Sequence, residues 1–208
     1  MSNKLSLIYD IETMDTAATA VILSIGILAF DAGTQVPFAE QVAQCGRFKF
    51  NVDEQIAMGR TWSQSTIEWW GKPEQAEAYQ RVCVPSADDI SITQIDAAIG
   101  GYLASVGYDA NNSDHVWTRG YMDGLIIGNV YDQLGLVKPW SFWNERDSRT
   151  AIDTIAQHLD PNHKGNGKVN MPDPVGFIPH METHDVVKDV HQMQACHILL
   201  MQQLSGAS

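Results

Sequence analysis

The chain has 208 residues, enough for one domain with a full core, and its 44% apolar content and six tryptophans exclude a disordered polymer. No apolar run reaches the roughly 18–20 residues of a membrane helix; the longest, Ala20 to Phe30, is interrupted by Ser24 and Gly26. Thirteen Lys and Arg against 25 Asp and Glu leave a net charge of −12, which excludes a protein that coats nucleic acid by neutralising phosphates, but not an enzyme that grips one strand end through bound cations.

In chain order, strands come first: Leu5 to Asp10, Ala20 to Phe30, and Arg47 to Phe50, with turn chemistry at Asp31-Ala32-Gly33-Thr34. Short connections predict an antiparallel meander. Ser63 is a candidate cap for a helix carrying Ile67, Trp69 and Trp70, and a further helix follows Pro73. Ile92, Ile95, Ile99, Tyr102 and Val106 recur at helical spacing, predicting a helix over about 93–106. A short strand at 115–118 precedes helices over 125–134 and 148–159, the latter capped by Asp147 or Ser148. Residues 160–179 are rich in Gly, Pro and Asn, a loop long enough to imply a function. A final helix carries Val186, Val190, Met193, His197, Leu200 and Leu204 on one buried face. The pattern predicts an α/β domain over 1–208: a mixed sheet flanked by helices. Cys45, Cys83 and Cys196 are odd in number and far apart, as expected of reduced thiols, and no secretory signal opens the chain, so a cytoplasmic location is expected.

The chemistry centres on Asp10 and Glu12 in YDIET. Two residues apart on a strand, they project from one face, and two adjacent acids repel unless cations bind between them. Hard oxygen ligands suit Mg²⁺ or Mn²⁺. A solvated strand end is the bland alternative for this pair alone. Downstream, the segment from Trp117 to Asp123 has a strand leading into a helix that begins near an Asp. HMETHD and HDVVKD overlap, so that His180–Asp185 and His184–Asp189 share one offset. In HMETH two His four apart would share a helix face, but the position after the first is Met181, not the Glu of a zinc protease. His191 and His197 read as structural residues of the last helix.

These ordered motifs resemble those of the DEDD exonuclease superfamily, histidine-type branch (DEDDh), which has a ribonuclease H-like fold. YDIETM followed by AVILSIGILAFD is similar to its first motif and second strand, though DTAAT stands where many relatives have a shorter turn. The resemblance implies a 3′-to-5′ exonuclease with antiparallel first strands and parallel later ones. It also implies two metal ions, Mg²⁺ or Mn²⁺, held by Asp10, Glu12, Asp123 and Asp189, with His184 taking the proton from the attacking water. Of the two registers, His184–Asp189 is preferred because relatives follow the His with a small or polar residue and two apolar ones. Thr66 to Trp70 and Pro139 to Thr150 resemble a DexA-like subfamily of small phage and mycobacterial exonucleases, so the match runs from about Leu5 to Leu204. By analogy Thr13 and Met14 hold the terminal nucleotide. Trp70 is a candidate stacking surface, with core packing the alternative, and Arg146 and Arg149 are candidates to meet phosphate, Arg149 equally able to hold the loop through a carboxylate. The partner is then a nucleic-acid 3′ end, DNA favoured over RNA, in a bacterial or phage-infected cell. No membrane is involved, and relatives often form homodimers. A silent binding module of the same fold, a phosphoester hydrolase acting on free nucleotides and a non-enzymatic interaction protein are the competing readings.

Overall fold

In the computed structural model, residues 4–160 and 162–206 are described. Strand β1 (Ser6–Thr13) alternates its side chains between two cores: Leu7, Tyr9 and Ile11 enter one, Ile8 the other. Buried on both faces, it takes the centre of the sheet. Strand β2 (Ile22–Phe30) pairs with it antiparallel, setting Asp10 opposite Gly26 and Glu12 opposite Ser24. Helix α1 (Phe38–Ala43) then leads to β3 (Gly46–Lys49), antiparallel to β2. The turn predicted at Asp31 is present, but α1 lengthens the connection beyond a simple meander.

Helices α2 (Val52–Ala57), α3 (Gln64–Trp70), α4 (Ala76–Val82) and α5 (Ile95–Ser105) follow, with Ser63 accepting the Thr66 N–H as the cap of α3. Strand β4 (Val116–Thr118) lies parallel to β1. Helix α6 (Met122–Leu134) starts before the predicted Leu125, because its polar first turn carries no apolar stripe. Strand β5 (Glu145–Asp147), parallel to β4, is an unexpected element: three polar residues at a sheet edge have no periodic signal. Helix α7 (Ser148–Leu159) is capped by Asp147, which accepts the Arg149 N–H at 3.0 Å. No helix or strand occupies the described part of 160–181, and α8 (Glu182–Gly206) begins ahead of its apolar stripe.

The sheet order is β3-β2-β1-β4-β5, the mixed arrangement expected. Helices α5 and α6 cover one face through Ile95, Ile99, Ile126, Ile127 and Val130. Helix α8 covers the other, Val186, Val187 and Val190 packing on Ile8, Leu28 and Phe30. Each such side chain stabilises the fold by about 1.5–3 kcal/mol on burial. No helix among the described residues is long and apolar enough to cross a membrane.

One glycine sets how closely α8 approaches. A Cβ on Gly26 would lie 2.6 Å from the Glu182 carbonyl carbon and 2.7 Å from the Thr183 nitrogen. Both are backbone atoms, so nothing can swing aside. Gly26→Ala is expected to cost about 1–3 kcal/mol, typical of overpacking, and to lower the midpoint of thermal unfolding followed by circular dichroism.

Candidate active site

The site lies at the C-terminal ends of the parallel strands, next to the junction where β1 has an antiparallel neighbour on one side and a parallel one on the other, the usual place for a ligand crevice in an open α/β sheet. Strand β4 pairs with β1 only at Leu7–Val116 and Ile8–Trp117. Beyond Thr118 the chain turns at Gly120 (φ 83°), whose N–H donates to Asp147 Oδ1 at 2.8 Å. That turn starts α6 near Asp10 and puts Asp123, 3% exposed, in its first turn. Glu12 is buried and Asp10 half-buried; both follow Ile8 on the face that α8 covers.

The last components come from the segment entering α8. Ligand atoms of Glu12, His180 and Asp185 all lie within 4.8 Å of one another. The His180 backbone N–H donates to the Asp185 carboxylate. His180 has φ 60°, a left-handed conformation that costs a non-glycine residue about 1–3 kcal/mol and persists only where surroundings enforce it. Trp69 presses edge-to-face on its ring at a centroid distance of 4.7 Å.

This arrangement departs from the expected histidine register. His184 lies inside the first turn of α8, where its Nδ1 accepts the Ile178 N–H at 3.0 Å and its ring packs edge-to-face on Phe38 at 5.4 Å. Asp189 sits one turn beyond Asp185, close enough for its charge to act on Asp10, Asp123 and Asp185. Both its oxygens are already engaged: Oδ1 pairs with Arg119 and Oδ2 accepts Ser148 Oγ at 2.6 Å. The pair whose ligand atoms meet Glu12 in this structure is His180–Asp185. The apolar stripe places the start of the last helix at Val186, and the buried polar turn from Glu182 lies ahead of it.

Of the other expected site residues, Thr13 donates to the Asp15 carbonyl at 2.7 Å, and its own carbonyl accepts Trp70 Nε1–H at 3.0 Å. Trp70 is 4% exposed among Leu23, Ala78 and Val82, so it has no face free for stacking and takes the core role; Trp69 is the half-buried neighbour. Met14 lines a cavity of about 270 Å³ with Ile67, Tyr79 and Cys83. Arg149 is exposed, and its charge acts on Asp123 and Asp189. Glu12, His180 and Asp185 are the only group of three or more metal-type ligands among the described residues, and it offers two carboxylates and one imidazole. His191 bonds to the Val36 carbonyl and Gln41 Oε1, a structural role.

Crowded acids resist ionisation. Asp10 is pushed well above the usual carboxylate range by burial and then by Asp123, Glu12 and Asp185. Glu12 is raised by burial, then Asp185 and Glu182. Burial and Asp189 raise Asp123 to about 8, and the same two causes raise Asp185 to about 7. No ion pair neutralises Asp10, Glu12, Asp123 or Asp185 among the described residues. Four acids with oxygen donors and no resident cation are a donor set that fits hard divalent ions.

The unfolded chain releases these protons near pH 4, the folded chain at about 7 for Asp185 and about 8 for Asp123. Between those limits the folded form binds more protons, so stability falls as pH rises from about 4 to about 8. Metal-free protein should therefore melt lower at pH 8 than at pH 5. Addition of Mg²⁺ or Mn²⁺ at pH 7.5 should raise the midpoint again and release protons, read by calorimetry in buffers of different ionisation enthalpy.

A family model described as the 3′-5′ exoribonuclease Rv2179c-like domain matches residues 5–199. The exodeoxyribonuclease of Enterobacteria phage T4 is 28% identical over 207 residues, covering 90% of this chain and 86% of the phage protein. Among solved structures, product-bound exonuclease I matches 97% of this chain with a TM-score of 0.55 at 14% identity, and the match spans 44% of that longer protein. The nuclease domain of 3′hExo, a DEDDh family member bound to rAMP, matches 96% of this chain and 93% of its own length, with a TM-score of 0.51 at 11% identity. At such identities these two structures show a common fold, the ribonuclease H-like sheet with helices on both faces. The family match covers every element from β1 into α8, and the chain belongs to the Rv2179c-like 3′-5′ exoribonuclease domain family.

Proposed function

We propose that this chain hydrolyses the terminal phosphodiester bond at a nucleic-acid 3′ end and releases nucleoside 5′-monophosphates. The observation that carries the reading is the convergence of Glu12, His180 and Asp185 within 4.8 Å, beside Asp10 and the buried Asp123. Asp10, Glu12, Asp123 and Asp185 are the ligands for two Mg²⁺ or Mn²⁺ ions, Asp185 replacing the Asp189 expected from sequence. Such a pair of ions supplies an acidified water and neutralises charge on the leaving oxygen.

His180 takes the proton of the attacking water, the role first expected of His184. Burial, and then the charge of Lys168, holds His180 below the ordinary histidine value, so it is a free base at neutral pH. The water oxygen bonds to phosphorus, the bond from phosphorus to the 3′ oxygen breaks, and that oxygen leaves on the shortened strand. The Trp69 contact and the His180–Asp185 backbone hydrogen bond fix the ring for this task. Thr13 shapes the end of β1, Met14 lines a cavity sized for part of the terminal nucleoside, and Arg149 is placed to meet phosphate.

DNA is the favoured substrate, supported by the likeness to the phage T4 exodeoxyribonuclease over most of both chains. The family description, an exoribonuclease domain, favours the second reading, RNA. Digestion of 3′- and 5′-labelled DNA and RNA strands with Mg²⁺ and with Mn²⁺ separates them.

Within that assay, His180→Ala and Asp185→Asn should each slow turnover about 10²- to 10⁴-fold, the range for losing a proton-transfer group, with the fold retained by circular dichroism. His184→Ala should keep most activity. Asp189→Asn, which loses the ion pair with Arg119, should lower the melting temperature more than it lowers kcat. The opposite pattern, with His184 and Asp189 indispensable and His180 and Asp185 dispensable, would restore the other register and sink this one.

A further inference from the structure

A crevice of about 420 Å³ lies across the first turn of α6 from Asp123, lined by Thr118, Tyr121, Leu125 and Arg146. Asp123 and Tyr121 are two residues apart, which turns them to opposite sides of the helix: Asp123 is 3% exposed toward the carboxylates, Tyr121 83% exposed. At its edge Arg146 Nη1 donates to the Trp143 carbonyl at 2.7 Å, and Phe142 and Trp143 line a separate, neighbouring cavity of about 530 Å³ with Pro139 and Trp140. The Phe142 and Trp143 rings lie 4.6 Å apart, 70% and 65% exposed. Three exposed aromatic side chains beside one arginine are not accounted for by the catalytic centre or the core.

The charges there are sorted. Arg47, Arg81 and Arg119 are ion-paired and Arg60 is buried against the Ala20 carbonyl, which leaves Arg146 and Arg149 as the exposed arginines without an acidic partner among the described residues. The acids lining the crevice are occupied: Glu145 is paired with Lys138 and accepts Trp140 Nε1–H, and Asp147 accepts N–H groups of Gly120 and Arg149. On a chain of net charge −12, a free cation among exposed rings complements a polyanion that carries aromatic bases.

We infer that this crevice is a second binding site for the substrate strand, taking unpaired nucleotides upstream of the one being removed. Tyr121, Phe142 and Trp143 stack on bases and Arg146 meets a phosphate. A helix with its side chains is about 10 Å across, so the strand crosses the N-terminus of α6 and reaches the crevice within a few nucleotides. Asp147 ties the two sites together, since it holds the Gly120 turn and the start of α7 at once. The assignment rests on the exonuclease reading for its direction, and the stacking chemistry serves DNA and RNA alike.

The test separates the crevice from the carboxylates. Thymidine 5′-monophosphate p-nitrophenyl ester occupies only the catalytic centre, whereas unpaired octamers of DNA or RNA also reach the crevice. The Tyr121→Ala/Trp143→Ala double variant should raise KM for octamers about tenfold, the low-to-middle range for losing one stacked base, while kcat and the ester rate stay unchanged. Tyr121→Phe should keep the KM of the parent. Anisotropy of a labelled octamer in Ca²⁺ should show the same tenfold weakening without turnover. Equal octamer affinity in parent and double variant overturns the inference, as does an equal loss on octamer and ester. A double variant that changes from dimer to monomer in sedimentation, with octamer affinity intact, would overturn it in favour of a second copy covering the patch. A chain that binds octamers through Tyr121 and Trp143 but hydrolyses neither substrate keeps the crevice and overturns the hydrolytic reading.

Discussion

The first turn of α8 rests against bare backbone at Gly26, and the whole catalytic corner depends on that contact. Gly26 pairs with Asp10 across the sheet, so the absence of one methyl group decides how near α8 comes to the strand that carries Asp10 and Glu12. Glu182, fully buried at the contact, pairs through Oε1 with Arg47 of β3 and locks the helix start to the outer strand. Asp185 and, just ahead of the helix, His180 are then delivered to Glu12. Apolar packing of Val186, Val187 and Val190 supplies the force; the glycine supplies the distance.

Assembly of so many acids works against stability. Burial and mutual repulsion raise Asp10, Glu12, Asp123 and Asp185 together, and the protein offsets this at the margin rather than at the centre. Arg119 and Ser148 satisfy Asp189, and Arg149 lowers Asp123 from outside. Among the described residues the four inner acids form no ion pair, a donor set that a divalent ion would suit.

Much of this was legible in the chain. Strand β1 declares itself by its apolar run, Asp10 and Glu12 by their spacing, and α7 by its cap and stripe. What could not be read was polar structure. Strand β5 is Glu-Arg-Asp, a pattern shared with any exposed loop. The opening of α8 is helical although only its later turns show the stripe, because its first turn is buried against the site rather than against apolar side chains. That shift moved the apparent helix start to Val186. The two registers have the same offset, and no count of residues separates them; contact with Glu12 is what favours His180–Asp185 in the proposed reading. Trp69 and Trp70 were likewise equivalent on paper until Trp70 proved to donate its N–H to the Thr13 carbonyl from within the core.

Strand β4 touches β1 through two residue pairs, and α8 joins the sheet from more than a hundred residues beyond β3. The meander of β1 to β3 is local in sequence and can pair early, whereas Asp123 and then Asp185 arrive by closing long loops, the slow part of folding a mixed sheet. During synthesis the ribosome releases Asp185 and the turns of α8 that hold it only after every strand has emerged. A growing chain thus holds Asp10 and Glu12 for most of its synthesis without the acids of α6 and α8 that crowd them in the finished fold.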